Sequence, residues 1–264
     1  MIRKQSLMGT ETASSPVDCA TETTPTHLLG GRVKVMQPAK GYRIGMDGAL
    51  LAAACAGLAP RGKALELGCG AGGAMLSLKA RCPDLALTGI EREPAYAELA
   101  RGNAALNSHD DVTVMTGDIG AGFKTLGLDR FDLVFSNPPF FDDPDTLRPP
   151  HEAKRPAWIA DDGLGAWLDF ALAAVKDGGD IVFIHRADRL GDILTGLSSK
   201  AGSFRVRPIQ PFIEKNAKRI LVCGKRLGKA PLRLLPPLVL HDQGNRKHTP
   251  EVEAILRGEE VLGW

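Results

Sequence analysis

The chain has little of what marks several broad classes of protein. Its 264 residues include five cysteines, Cys19, Cys55, Cys69, Cys82 and Cys223, odd in number, widely spaced and without a CxxC pair. That pattern argues against a disulfide framework and against a zinc site, so no metal is expected and the thiols read as free in a reducing cytoplasm. Aromatic residues make up 5% of the sequence, and no interleaved row of them occurs. A single-strand stacking groove of the OB type is therefore not expected. No apolar run approaches the roughly 20 residues of a membrane span. Nothing apolar follows Arg3 and Lys4 as it would in a secretory leader. The net charge is +2, so the charge of the whole chain names no partner.

What is present is an ordinary globular composition, 44% hydrophobic and 24% charged, at a length that buries a sizeable core in one large α/β domain. Residues 1–26 are rich in Ser, Thr, Glu and Pro and read as a disordered tail. Residues 27–60 read as an N-terminal cap. Leu28–Val35 alternates around Gly30-Gly31 as a strand or hairpin, and Asp47 reads as the N-cap of a helix over Ala49–Ala54. Residues 61–235 form the main domain, and 236–264 a C-terminal extension. Within the main domain apolar strands are expected at Ala64–Leu67, Leu85–Ile90, Val112–Met115, Phe131–Phe135 and Asp180–Ile184. Helices are expected at Ala74–Arg81, Pro94–Asn107, Gly163–Val175 and Arg189–Lys200. This alternation is the rhythm of a doubly wound, mostly parallel sheet. Arg205–Pro211 and Lys218–Cys223, with no helix between them, would add an antiparallel hairpin at its edge.

The first parallel strand runs into Glu66-Leu67-Gly68-Cys69-Gly70-Ala71-Gly72-Gly73. Glycines at a strand-to-helix turn let backbone approach a ligand, a device that dinucleotide-binding folds share. Two acids narrow the choice. Glu66, ahead of the glycines, suits the ammonium of a methionine moiety and would sit badly beside a pyrophosphate. Glu91 ends the next strand, where a carboxylate accepts hydrogen bonds from a ribose diol. Asp118, after the third strand, could accept from an adenine amine. Taken singly, Glu91 and Asp118 read equally well as strand-end or helix-capping acids. Cys69, inside the loop, reads as a small filler.

The fourth strand ends in Ser136-Asn137-Pro138-Pro139-Phe140. Two prolines fix φ and remove two donors. What remains is a rigid pair of acceptors, the Asn137 side-chain oxygen and the Pro138 carbonyl, followed by the ring of Phe140. Acceptors aimed at both hydrogens of an exocyclic amine localise its lone pair and align it, which is catalysis by positioning and electrostatics. Phe140 offers a face for a flat base.

Leu65–Gly72 resembles the first motif of Rossmann-like methyltransferases. The resemblance implies S-adenosyl-L-methionine as cofactor, with Glu66, Gly68, Gly70, Gly72, Glu91, Asp118 and Asn137 as its contacts. It also implies a seven-stranded sheet whose last strand is antiparallel. Asn137-Pro138-Pro139-Phe140 resembles the signature of amino-methyltransferases, implying that these four residues are catalytic. From Gln37 to about Arg226 the chain is similar to a bacterial family of tRNA adenine-N6 methyltransferases that modify the base beside the anticodon of a valine tRNA. The similarity rests on Gln37, Gly41-Tyr42-Arg43-Ile44, Asp47, Leu50-Leu51-Ala52, His151–Ala157 and His185–Leu190. Phe140 in place of Tyr and the acidic Asp142, Asp143 and Asp145 depart from it. Tyr42 and Arg43 precede a helix expected beside the glycine loop, which would put them close to the target base; they read equally well as packing for the N-terminal segment.

Between Lys200 and Lys247 twelve basic residues face only Glu214 and Asp242, a candidate phosphate-binding face on which Arg205, Arg207 and Lys218 are the expected RNA contacts. Transfer to RNA adenine, with tRNA as partner, is the leading expectation. Methylation of protein glutamine or of rRNA guanine-N2, and an inactive cofactor-binding module that binds RNA, are the alternatives.

Overall fold

A computed structural model describes residues 22–39, 44–139, 163–242 and 247–264. Strands β3 (Lys63–Leu67), β4 (Ala86–Glu91), β5 (Val112–Thr116), β6 (Phe131–Ser136), β7 (Val175–Arg186), β8 (Ala201–Gln210) and β9 (Arg219–Arg226) build one sheet in the order β5-β4-β3-β6-β7-β9-β8. The first five are parallel. β9 is antiparallel to both β7 and β8, which gives the expected edge hairpin. The central strands are apolar along their length because both faces are covered. Ala64 and Leu133 join the core on one face, and Leu65 and Val134 the core on the other.

The sheet is wider than the seven strands expected. Two short strands, β10 (Arg233–Leu234) and β11 (Leu238–Val239), pair parallel to β8. They precede α6 (Pro250–Arg257), which Thr249 caps by accepting from Val252 N. Pro250 at the start of this helix and Gly258 at its end are readable start and stop signals. Among the described residues the remaining α-helices are α1 (Met46–Ala56), α2 (Gly73–Arg81), α3 (Pro94–Leu106), α4 (Gly163–Ala174) and α5 (Leu190–Ser198). α1, α2, α3 and α6 cover one face, and α4 and α5 the other.

α1 is apolar nearly all round, with seven consecutive buried residues from Leu50 to Ala56, as befits a helix enclosed on every side. The last residues of the chain fasten onto it. Leu262 N donates to Ala53 O at 3.1 Å, and Trp264 Nε1 donates to Ala54 O at 2.8 Å.

Two local expectations change. β1 (Thr23–Leu28) pairs antiparallel with β2 (Val33–Pro38), so Thr23–Thr26, assigned by composition to the tail, are strand. Asp47 is not the N-cap of α1. Gly45 holds that position, and Asp47 sits in the first turn with its carboxylate 3.1 Å from Arg219 Nε. Pairing with a strand-borne guanidinium has replaced capping. Among the described residues no helix is long and apolar enough to cross a membrane, and no group of His, Cys, Asp and Glu could hold a metal ion.

Candidate active site

After β3 the chain builds β4 and β5 to one side, then returns to place β6 on the other side of β3. At such a reversal the loops diverge and leave a crevice at the carboxyl ends of the strands. Four features singled out in the sequence reach that edge. They are the glycine loop after β3, Glu91 at the end of β4, Asp118 beyond β5 and Asn137 directly after β6. Ser136 Oγ donates to Leu67 O at 2.8 Å and ties the two strands where the crevice opens.

The loop is left-handed at Gly68, Gly70 and Gly72, with φ of 64°, 53° and 86°. Side chains are excluded for different reasons at the first two. A Cβ on Gly68 would lie 2.5 Å from the Trp167 ring, whereas a Cβ on Gly70 would meet nothing within 4 Å. Gly68 is therefore a packing requirement, and Gly70 faces open space. The loop is pinned from below. Cys69 N donates to Ile90 O at 3.0 Å, and Gly70 N donates to Glu91 Oε2 at 2.9 Å. It is also pinned from the side by Asn103, a buried α3 residue that the sequence did not single out. Its amide donates to Ala71 O and Met36 O, both at 2.8 Å, and accepts from Met36 N at 2.7 Å. The only sequence signal was an amide inside an otherwise alanine-rich helix.

The acids behave differently from one another. Glu91 accepts from Gly70 N and from Glu93 N, each at 2.9 Å. Burial raises its pKa, against the lowering effect of those two N–H groups. A carboxylate has lone pairs for further donors, so a ribose diol can still be accommodated. Glu66 is sealed beneath the loop at 3% exposure, not displayed in the crevice. Burial first, and Glu91 further, hold its pKa well above the usual carboxylate range, while a backbone hydrogen bond from Met75 at the start of α2 opposes them. Among the described residues its buried Oε2 has no hydrogen-bond partner. Asp118 is exposed and accepts from Gly120 N at 2.8 Å, capping the short turn Ile119–Ala121. The capping alternative thus holds for one of its oxygens. Cys69 is buried and its thiol pKa is raised, chiefly by desolvation, as suits a filler residue. Asn137 is half-buried, Pro138 buried and Pro139 exposed; Phe140 lies outside the described residues.

Of the expected RNA contacts, Tyr42 and Arg43 also lie outside the described residues. Arg205 and Arg207 make contacts inside the chain. Arg205 Nη2 reaches Cys223 Sγ at 2.9 Å and Asp180 Oδ1 at 3.4 Å, and its guanidinium lies 5.5 Å from the Trp264 ring centroid. Arg207 donates to Pro236 O at 2.9 Å and Gly263 O at 2.7 Å. Both are half-buried and help to fasten the C-terminal segment through these contacts. The basic stretch is also divided along the sheet. Lys200, Lys225, Arg226 and Lys229 cluster at the end remote from the crevice, where Lys225 and Arg226 pair with Asp180 and Asp177. Lys218 is exposed at the crevice end, just before β9.

Comparison with known proteins agrees with this geometry. The family model "Methyltransferase small domain" matches residues 47–148. The "tRNA1(Val) (adenine(37)-N6)-methyltransferase" of Porphyromonas gingivalis is 34% identical over 212 residues, covering 75% of this chain and 80% of that protein. The "Release factor glutamine methyltransferase" of Caulobacter vibrioides is 36% identical over 155 residues, but this covers 55% of this chain and 52% of that protein. Among solved structures, one described as "a predicted O-methyltransferase" from Agrobacterium tumefaciens superposes with a TM-score of 0.69 at 25% identity. The match covers 83% of this chain and 99% of that one. With its sheet order, its glycine loop and a relative matched over most of both lengths, the chain belongs to the tRNA1(Val) (adenine(37)-N6)-methyltransferase family of S-adenosylmethionine-dependent methyltransferases.

Proposed function

We propose that the protein transfers a methyl group to the exocyclic N6 amine of an adenine in tRNA, in the cytoplasm. The observation that carries this reading is the position of Asn137-Pro138-Pro139, directly after β6 and across the strand reversal from the glycine loop. The relative matched over 80% of its length is named for that reaction. The four described cysteines are all free, in keeping with a reducing compartment.

The site fits S-adenosylmethionine. The open side of Gly70 leaves room for a ligand against the backbone. Glu91 would hold the ribose, the second oxygen of Asp118 the adenine amine, and Gly68, Gly70 and Gly72 the methionine moiety. The buried, unpartnered Oε2 of Glu66 would compensate the ammonium from beneath the loop. When bound, the cofactor supplies an electrophilic methyl group on a sulfonium.

Everything else falls to the chain's own residues. The Asn137 side-chain oxygen and the Pro138 carbonyl accept the two hydrogens of the target amine, localise its lone pair and set its direction. The prolines hold that pair rigid, because neither contributes an N–H and both fix φ. No strong general base is required, since the amine's proton can pass to water after transfer. Phe140 would stack on the base. Tyr42 and Arg43 would border it. Their neighbour Ile44 donates its N–H to Gln37 Oε1 at 2.9 Å and packs so tightly on Gly73 that a Cβ there would lie 2.6 Å away.

The glutamine amide of a release factor is the second reading, favoured by the partial match to that enzyme family. The test offers the protein labelled cofactor with transcribed tRNA, ribosomal RNA and release factors, and then digests the products. Label in N6-methyladenosine from tRNA is expected. Label confined to N2-methylguanosine or to protein glutamine would replace this reading with the matching alternative.

A further inference from the structure

The sequence holds no row of aromatic residues, yet the fold assembles one. The β8–β9 hairpin turns through Pro211–Lys218, closed by Lys218 N donating to Ile209 O at 3.1 Å. β11 runs parallel beside β8, and the chain leaving it is held to this turn by His241 N donating to Pro211 O at 2.9 Å. Three rings then stand in series. Phe212 and His241 have centroids 5.2 Å apart, and His241 and His248 stack at 5.1 Å. His248 is buried. Phe212, at the outer end, is 38% exposed, beside Ile213 at 60%. His241 Nδ1 lies 2.8 Å from Lys247 O, which fixes the ring in the row. Lys215, Lys218 and Lys247 are exposed around it, against Glu214 and Asp242.

This row stands at the crevice edge of the sheet. Ser136 on β6 is level with Phe183 on β7, and Arg186 on β7 is level with Arg219 on β9. The turn before Arg219 therefore begins about where Pro139 ends, two to three strands to the side. Phe212 leaves β8, three strands from β6, and His241 leaves β11, four strands from it; at roughly 4.8 Å per strand the row stands about 14–19 Å from the Asn137-Pro138 acceptors. The distance suits a nucleotide close to the target base on the same strand.

We propose that Phe212, backed by His241 and His248, is a stacking platform for an unpaired base of the RNA substrate close to the methylated adenine, and that Lys215, Lys218 and Lys247 hold the phosphates on either side of that base. The inference rests on the RNA reading above and names the surface by which the RNA is held. An exposed ring at the end of a fixed ring series is a flat, pre-ordered partner for a base of any identity. The lysines add the salt-dependent attraction that a polyanion requires. The basic residues at the far end of β8 and β9 are too distant to share the same nucleotide.

The test uses the full-length protein and an unmodified valine tRNA transcript. Binding is followed by fluorescence anisotropy at several salt concentrations, alongside cofactor calorimetry and methyl transfer. Phe212→Ala should weaken tRNA binding about tenfold. It should raise KM for tRNA and leave cofactor affinity and the rate at saturating tRNA unchanged. Phe212→Trp should restore binding. The double variant Lys215→Glu with Lys218→Glu should flatten the slope of log affinity against log salt by about two. Lys200→Glu, at the far end, should bind like wild type. If wild type methylates the transcript while Phe212→Ala and the double variant bind and turn over as wild type does, the platform is wrong and the substrate stands. If wild type methylates release factor and not tRNA, the substrate reading fails and the platform fails with it.

Discussion

Glu91 serves two purposes that a single substitution can separate. Its carboxylate accepts Gly70 N and Glu93 N, each at 2.9 Å, and in the proposed complex it also accepts the ribose hydroxyls. Hydrogen bonds to a charged acceptor contribute about 1.5–3 kcal/mol each. Here the gain is partly offset, since burial raises the carboxyl's pKa despite both donors. Glu91→Ala should therefore cost about 1–2 kcal/mol of folding stability, read as a fall in Tm. Cofactor affinity should fall by about 1–3 kcal/mol, roughly 5- to 150-fold in Kd, because the ribose loses its acceptor and Gly70 loses its anchor. Glu91→Gln keeps one acceptor oxygen and should fall between the two. The raised pKa also gives a pH signature. The carboxylate needed for the ribose is lost as pH falls through a value above the ordinary 4.5, so wild-type affinity should weaken on acidification before that of Glu91→Gln does. Calorimetry with S-adenosylhomocysteine measures each of these. Folded variants with wild-type Kd at neutral pH would refute the ribose assignment.

Asn137→Ala should lower turnover by about two to three orders of magnitude, as loss of a pre-organised transition-state partner does, while the cofactor still binds; turnover above a tenth of wild type would remove Asn137 as the amine acceptor. Gly70→Ala meets no atom of the described residues, so it should fold with a backbone cost of about 1–2 kcal/mol yet lose cofactor affinity, whereas Gly68→Ala, aimed at Trp167, should lose stability as well. Equal affinity in wild type and Gly70→Ala would place the ligand elsewhere. Glu66, with its folded-state pKa raised, binds its proton more tightly folded than unfolded, so it is neutral in its effect below about pH 4.5 and destabilises the ligand-free protein increasingly as pH rises above that. Glu66→Gln should thus match wild-type Tm at acid pH and exceed it at pH 8 without cofactor, and a lower Tm at pH 8 would show that its carboxylate is compensated by groups other than those named above.

The order of apolar runs was enough to place the sheet and the residues along its carboxyl edge. β3–β6 and the helices between them fall within one or two residues of where the apolar runs put them, because a strand buried on both faces must be apolar throughout, and the glycines and prolines that punctuate it act through local backbone sterics. The positions of Gly68–Gly72, Glu91, Asp118 and Asn137 along the carboxyl edge were legible for the same reason, since each lies at or just past a strand end. Tertiary structure decided what depends on distant partners. Asp47 reads as a cap until Arg219, 172 residues on, is brought beside it. Arg205 and Arg207 read as phosphate ligands from the sequence, and only the fold brings them to Asp180, Pro236 and Gly263. Asn103 becomes the brace of the glycine loop only when the β1–β2 hairpin lies against α3. The ring series Phe212–His241–His248 exists only because β11 runs beside β8. A basic or aromatic side chain carries the same local signal wherever it finally rests, and its partner is chosen by the packing of segments far apart in the chain.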